Sequence, residues 1–350
     1  MKKTQPSSNG HHSSRDYGFL KDKSILVTGG TGSFGQRFIK TVLEKTKARK
    51  IVVFSRDELK QSEMVREFRD PRLRFLLGDV RDLQRLQRAF HGIDFVVHAA
   101  ALKQVPALEY NPFEAVLTNI IGGENVINAA VDQGVSRVVA LSTDKAVNPI
   151  NLYGATKLCA EKLFVAGNYY AGGAKSRFAV VRYGNVVGSR GSVIPLFLEK
   201  RKTGVLTVTD ERMTRFWITL DQGVDLVMKA LSQMQGGEVF VPKIASMRVM
   251  DLAKAIGPDC EIKIVGTRPG EKIHEVLLTE DESARSKDVG DCFVIEPAFR
   301  FPWVAQNAWN GEALPEGFRY SSETNDRWLS SKELKDMMGD PHPEGLAVES

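Results

Sequence analysis

An α/β fold, a doubly wound parallel sheet with helices on both faces and a smaller C-terminal lobe, is what this sequence predicts. Three observations predict it. Short apolar runs alternate with helical patterns through the first half of the chain. A glycine-rich turn joins the first run to the first helix. Beyond Gly184 the rhythm loosens into turn-rich sequence such as Gly188-Ser189-Arg190-Gly191 and Arg268-Pro269-Gly270.

The elements follow in order. Ser24 to Thr28 reads as the first strand, and Phe38, Ile39, Val42 and Leu43 mark the first helix. Strands are expected at 51–55, 73–77, 95–98, 137–141 and 178–182, with helices at 119–133 and 153–168. The dinucleotide-binding part spans 21–190 and a mainly substrate-binding lobe spans 191–338. Segments around 216–243 return to the sheet, because Val239 to Val241 has strand character. Residues 1–20 read as a flexible extension and 339–350 as a frayed tail.

Composition narrows the function. Hydrophobic residues make up 42% of the 350, too many for a disordered chain. A net charge of +5 suits anionic ligands, while the lack of a long basic run or aromatic-basic stripe argues against nucleic acid. Three scattered cysteines, Cys159, Cys260 and Cys292, and a His11-His12 pair in the extension offer neither a disulfide framework nor a metal site. No apolar run reaches the length of a membrane span and the N-terminus has no signal-peptide core, so a cytoplasmic protein is expected.

Gly29, Gly32 and Gly35 stand between strand and helix, where glycine lets the backbone turn tightly and approach a pyrophosphate at a helix N-terminus. This is the fingerprint of a Rossmann-type sheet. Ser55-Arg56 closes the second strand, and an Arg there favours the extra phosphate of NADP, although Asp57 next to it leaves NAD open. Asp79 after the third strand is either an adenine-side carboxylate or a helix cap. Ala99 and Ala101 after the fourth permit close backbone approach to the cofactor, and His98 is expected to pack within the sheet.

Tyr153 and Lys157 fall at i and i+4, on one helix face, where the ammonium is expected to draw the phenol's pKa down for proton abstraction. Between these and the preceding strand stand Thr143, Asp144 and Lys145. An acid and a base beyond a dehydrogenase's needs point to a redox-neutral 4,6-dehydration. Oxidation at C4 of a hexose acidifies C5–H, a base removes that proton, an acid helps the C6 hydroxyl leave, and hydride returns to C6.

Over about Lys23 to Leu334 the chain resembles the extended short-chain dehydrogenase/reductase family. Within it, the chain is similar to the inverting UDP-N-acetylglucosamine 4,6-dehydratases of pseudaminic acid biosynthesis. The segments carrying the resemblance are Thr28 to Gly35, Ser55 to Lys60, Gly78 to Asp82, Ala99 to Lys103, Glu109 to Pro112, Ser142 to Ala146, Asn151 to Lys157, Arg182 to Gly191, Met213 to Trp217 and Arg268 to Lys272. The resemblance implies that NADP is held by the glycine turn with Thr31, Ser33 and Phe34, by Ser55, Arg56, Asp57, Glu58 and Lys60, and by Asp79, Val80, Ala99, Ala101 and Lys103. It implies that Lys145 is the C5 base, Asp144 the acid, Tyr153 and Lys157 the redox pair, and Thr143 a substrate contact. Lys103 is then near nicotinamide and sugar, and Asn185, Arg190, Arg215, Arg268 and Glu271 hold the uridine diphosphate.

Retaining relatives carry Glu where Lys145 stands, and larger membrane-anchored ones often carry Met in place of Tyr153. Both residues therefore imply C5 inversion. A Lys base needs a depressed pKa, for which Lys157, Lys103 and the nicotinamide cation are the expected source. The family also implies a homo-oligomer, with a hexamer as the candidate size. A retaining dehydratase, a UDP-sugar 4-epimerase and a non-catalytic NADP-sensing regulator are the alternatives.

Overall fold

The apolar runs at 24–28, 51–55 and 95–98 become strands buried along their length, as expected when helices cover both faces, while the run at 73–77 forms the sheet edge and exposes Arg74 and Leu77. In a computed structural model, residues 17–172, 175–189, 192–304 and 309–338 are described. The tail at 339–350, most of the extension and Arg190 lie outside them. Residues 17–20, expected to belong to the flexible extension, are packed instead. Gly18–Leu20 forms a 3-10 turn, Leu20 is fully buried and the Tyr17 hydroxyl donates to Asp225 at 2.8 Å. Burial of Leu20 and contact of Phe19 with the Phe95 ring account for the order.

Six strands form the parallel half: β1 (Ser24–Thr28), β2 (Lys50–Ser55), β3 (Leu73–Leu77), β4 (Phe95–His98), β5 (Arg137–Thr143) and β6 (Arg177–Tyr183). Their spatial order is 3-2-1-4-5-6, a Rossmann-type arrangement with its crossover point between β1 and β4. Val239–Pro242 joins β6 in parallel, and Cys292–Ile295, Ser286–Asp288 and Glu312–Ala313 extend the sheet antiparallel to ten strands. The return to the sheet thus reaches past 243, while Thr214–Ile218 pairs in a separate three-stranded sheet. A second hydrophobic cluster, around Phe197, Leu206, Trp217, Met247 and Leu252, lies under that lobe.

The helices up to β6, in chain order, are α1 (Ser33–Lys45), α2 (Glu58–Glu67), α3 (Leu83–Phe90), α4 (Val105–Tyr110), α5 (Pro112–Ala115), α6 (Gly122–Asp132) and α7 (Leu152–Tyr170). The helix expected at 119–133 begins earlier: α5 runs through a π-helical stretch, Val116–Ile121, into α6 without leaving αR backbone. Asn119 in that stretch is buried. Its amide exchanges hydrogen bonds with Leu102 N and O at 2.9 Å each and donates to Thr156 Oγ1 at 3.0 Å, tying the loop of Lys103 to α7.

Asn151 caps α7, its Oδ1 accepting from Gly154 N at 2.7 Å. Further along, Glu161 is buried beneath α7, accepts from the Ser142 hydroxyl of β5, and pairs with Arg182 of β6 at 2.6 and 3.1 Å. Arg182 also reaches Glu282 at 3.0 Å and the Leu277 carbonyl at 2.9 Å. Removing one member of such a buried pair strands the other charge. Glu161→Ala is therefore expected to destabilise the fold by about 3–5 kcal/mol, read as a lower denaturant midpoint; an unchanged midpoint would show the pair to be dispensable.

Candidate active site

A cleft of 2340 Å³ opens beyond the carboxyl ends of the parallel strands. That exceeds the roughly 300–1,000 Å³ of a single small-ligand pocket, so it has room for a dinucleotide and a second ligand together. At the crossover point β1 ends in Gly29, whose φ of +66° belongs to the left-handed region and where a Cβ would lie 2.8 Å from Ala100 N. A Cβ at Gly35 would lie 2.6 Å from the Gly30 backbone. The turn thus closes only with glycine. It leaves the N-terminus of α1 facing the cleft with Thr31, Gly32, Ser33 and Phe34, a cradle that fits a pyrophosphate.

At the other end of this half, Ser55, Arg56, Asp57, Lys60, Asp79 and Val80 line the cleft. Asp57 is the N-cap of α2: its Oδ1 accepts from Lys60 N at 3.0 Å and its Oδ2 from Lys60 Nζ at 2.5 Å. Ser55 Oγ accepts from Gln61 at 3.0 Å. Asp79 does not cap α3, a role that Asp82 fills. It accepts from Arg81 and stands 3.5 Å from the exposed Arg56 guanidinium. Glu58 lies in the first turn of α2 and is exposed. Ala99, Ala101 and Lys103 border the cleft after β4. His98 packs inside the sheet as expected, bonded to Thr28 at 2.8 Å, and burial, aided by Lys157, pushes its pKa down to about 3.

The reacting groups meet where β5 gives way to α7. Thr143 Oγ1 donates to Asp144 Oδ1 at 2.8 Å, and Lys145 Nζ donates to the same oxygen at 3.1 Å. Asp144 is fully buried beneath Lys145, and its Oδ2 has no hydrogen-bond partner. A Cβ at Gly154 would lie 2.1 Å from the Lys145 carbonyl oxygen, so only glycine lets the first turn of α7 sit against this loop. That contact puts Tyr153 beside Lys145.

The protonation pattern departs from expectation in two ways. Burial pushes the Tyr153 phenol up to about 12, and the cation that opposes the rise is Lys145. Lys157 instead turns its ammonium to the Leu141 carbonyl at 2.7 Å, and burial brings it down to about 8. Second, Lys145 was expected to be depressed. Burial does lower it, but the carboxylates of Asp144 and Glu275, the latter at 3.5 Å, outweigh burial and hold it above its usual range. Without ligands, the candidate base is an ammonium.

Across the cleft stand Asn185, Arg215, Arg268 and Glu271. Asn185 Oδ1 lies 3.5 Å from Lys145 Nζ. Arg215 is buried and donates to the carbonyls of Thr214, Ile273 and Lys272 at 2.7–2.9 Å, so it braces the loop that follows Arg268. Arg268 is exposed at the rim, its amide 3.4 Å from Glu271 Oε2. The sequence reading missed Glu275 and Lys272 as members of this wall; their signal was the charged run Glu271-Lys272-Ile273-His274-Glu275 directly after a turn.

The polysaccharide biosynthesis protein family matches residues 25–297. A UDP-N-acetylglucosamine 4,6-dehydratase (inverting) of Campylobacter jejuni is 49% identical over 332 residues, 93% of this chain and 99% of its own length. A UDP-glucose 4-epimerase of Rickettsia conorii is 41% identical over 326 residues, 91% of this chain and 95% of that one. The X-ray structure of Pen from Bacillus thuringiensis superposes with a TM-score of 0.84 at 41% identity, over 91% of this chain and 98% of that one.

Lys157 supplies a test of the site's electrostatics. Its folded pKa of about 8 lies below lysine's usual 10.5, so the unfolded chain binds more protons between those values. Charged Lys157 therefore costs stability below about pH 8, and the cost fades as pH rises toward 10.5. Relative to wild type, Lys157→Met should be most favoured in thermal unfolding at pH 7 and lose that advantage by pH 10. A difference that does not vary with pH would contradict the assigned shift.

Proposed function

Because the chain belongs to the polysaccharide biosynthesis family of extended short-chain dehydrogenase/reductases, we propose that it is a cytoplasmic, NADP-dependent, C5-inverting UDP-N-acetylglucosamine 4,6-dehydratase. The product is UDP-2-acetamido-2,6-dideoxy-β-L-arabino-hex-4-ulose, and the reaction opens pseudaminic acid biosynthesis. The observation that carries this reading is the Asp144–Lys145 pair at the mouth of β5, within a cleft that also presents Tyr153. A nicotinamide dinucleotide, when bound along the glycine turn, accepts hydride from C4 and later returns it to C6.

The chain's own groups do the rest. Tyr153, as the phenolate left once its own proton has passed to solvent, takes the C4 hydroxyl proton, with Thr143 as its hydrogen-bond partner. Lys145 passes its own proton to Asp144 along their 3.1 Å hydrogen bond and, as the free amine, takes the C5 proton. Asp144, hydrogen-bonded to Thr143 and Lys145, supplies the proton for the departing C6 hydroxyl through that short network. Lys103, Asn185, Arg215, Arg268 and Glu271 form the nucleotide-sugar wall, and Arg190 belongs to the same proposal. The assembly is a homo-oligomer. The 41% identity to a UDP-glucose 4-epimerase supports a second reading, in which the C4 ketone is simply reduced from its other face.

Proton NMR of the product formed from UDP-N-acetylglucosamine in heavy water separates the two. A 4-keto-6-deoxy sugar of L-arabino configuration, with deuterium at C5, is expected. A galacto-configured product would establish the epimerase, and a D-configured ketone the retaining enzyme. Lys145→Ala should keep cofactor affinity and lose dehydration by roughly 10²–10⁴-fold, the range for a positioned acid–base group. NADP over NAD is favoured because Asp57 is committed to its helix cap while Arg56 stands exposed. Arg56→Ala should weaken NADPH by at least about tenfold, or ~1.4 kcal/mol, in a titration that leaves NADH within error. Equal loss for both cofactors would refute that specificity.

A further inference from the structure

Glu275 belongs to no motif discussed so far, yet it occupies the centre of the catalytic wall. It is buried, and it precedes the strand Val276–Leu278 of the second lobe. Its backbone is clamped on both sides by Ser322: Glu275 N donates to Ser322 Oγ at 2.9 Å, and Ser322 N donates back to the Glu275 carbonyl at 2.8 Å. The side chain is thereby held among cations. Oε1 lies 3.5 Å from Lys145 Nζ and 3.9 Å from Arg215 Nε, and Oε2 lies 3.7 Å from Lys272 Nζ. Oε2 is buried with no hydrogen-bond partner, so ion pairing accounts for its burial.

A lysine amine on a four-carbon stem sweeps a wide arc. Asp144, its neighbour in sequence, moves with the same loop and cannot alone define where Nζ stands. A carboxylate from the opposite lobe can. We propose that Glu275 is a positioning residue for the C5 proton transfer, fixing Lys145 Nζ at the mouth of β5 and tying it to the Arg215–Lys272 side of the nucleotide-sugar wall. The inference rests on the dehydratase reading above.

The groups facing Lys145 are Asp144 from its own turn, Tyr153 from α7, Asn185 after β6, Arg215 from the small sheet, and Lys272 and Glu275 from the second lobe. Of these, the two carboxylates favour its ammonium and Arg215 opposes it. Removing Glu275 therefore frees Lys145 to lose its proton at lower pH while letting its amine wander.

The two effects have opposite signs, which makes the test sharp. In Glu275→Gln, plateau kcat on UDP-N-acetylglucosamine should fall by at least about tenfold, part of what a positioned acid–base group contributes. The rising limb of its kcat–pH profile should move to lower pH by about one unit. NADPH affinity should hold within about threefold, since the ion partners of Glu275 are none of the residues proposed to hold the cofactor. Glu275→Asp, which withdraws the carboxylate by one methylene, should lie between Gln and wild type in both kcat and limb. A limb coincident with wild type, or parallel loss of kcat and cofactor affinity, would overturn the proposal. If the Gln variant does not fold, the Asp variant decides alone: wild-type kcat and limb in it also overturn the proposal. Wild-type enzyme assayed alongside keeps the two readings apart, because wild type inactive on this substrate defeats the dehydratase assignment instead.

Discussion

The buried pairing of Glu161 with Arg182 holds the working parts of this molecule together. It joins α7 to β6 directly and, through Ser142, to β5. Charges taken out of water in this way need good geometry and further partners, and here every element they touch is one that bears on the site. Tyr153 and Lys157 ride on the N-terminal half of α7, while Thr143, Asp144 and Lys145 extend from β5. Arg182 also reaches Glu282 and the Leu277 carbonyl, so the same pin locates the segment that begins with Glu275. A second contact between the parts is made by Asn151, which caps α7 and donates to the Gly270 carbonyl at 2.8 Å. The two lobes thus meet through α7, and the cleft takes its shape there.

Charge and burial within the cleft favour the protonated forms of Lys145 and Tyr153. Lys145 sits between two carboxylates that keep it protonated, and Tyr153 is pushed toward its neutral form by burial. Both groups are thus in their acid forms until ligands arrive. This is a sensible resting state for an enzyme whose first step is oxidation: proton abstraction at C5 is productive only after C4 has become a ketone. A nicotinamide cation bound in this cleft would raise the local potential in the direction that discharges both. Lys157 is the exception, lowered by burial and turned to a backbone carbonyl, so its contribution to the free protein is the geometry of the β5–α7 junction rather than activation of the phenol.

At the cofactor end, local hydrogen bonding decides which residues remain available. Asp57 has the position of a ribose-binding acid, but as N-cap of α2 its two oxygens are both used by Lys60. Arg56, one residue earlier, points outward beside Asp79. Capping here engages both oxygens of a carboxylate that stands at the end of the second strand, and the proposed preference for NADP rests on that.

Much of this was legible in the sequence. Strand and helix periodicity, the glycine turn and the Tyr–Lys spacing are local signals, set by dihedral sterics and by which face of an element is apolar, and they placed the sheet, the turn at its crossover point and the Tyr153–Lys157 helix that border the cleft. What escaped were quantities that depend on neighbours distant in the chain. The ordering of 17–20 needs the Phe95 ring and the core that buries Leu20. The later strands at 286–295 and 312–313 find the sheet only because an edge was left open for them. Above all, the sequence by itself determined that Asp144, Lys145, Tyr153 and Lys157 would be near one another, but not how each would be charged. That was decided by Glu275, which is 130 positions away from Lys145, and by burial beneath a second lobe. Proton affinity depends on the field and the solvent at one point in space, and neither is defined until the tertiary structure has closed around it.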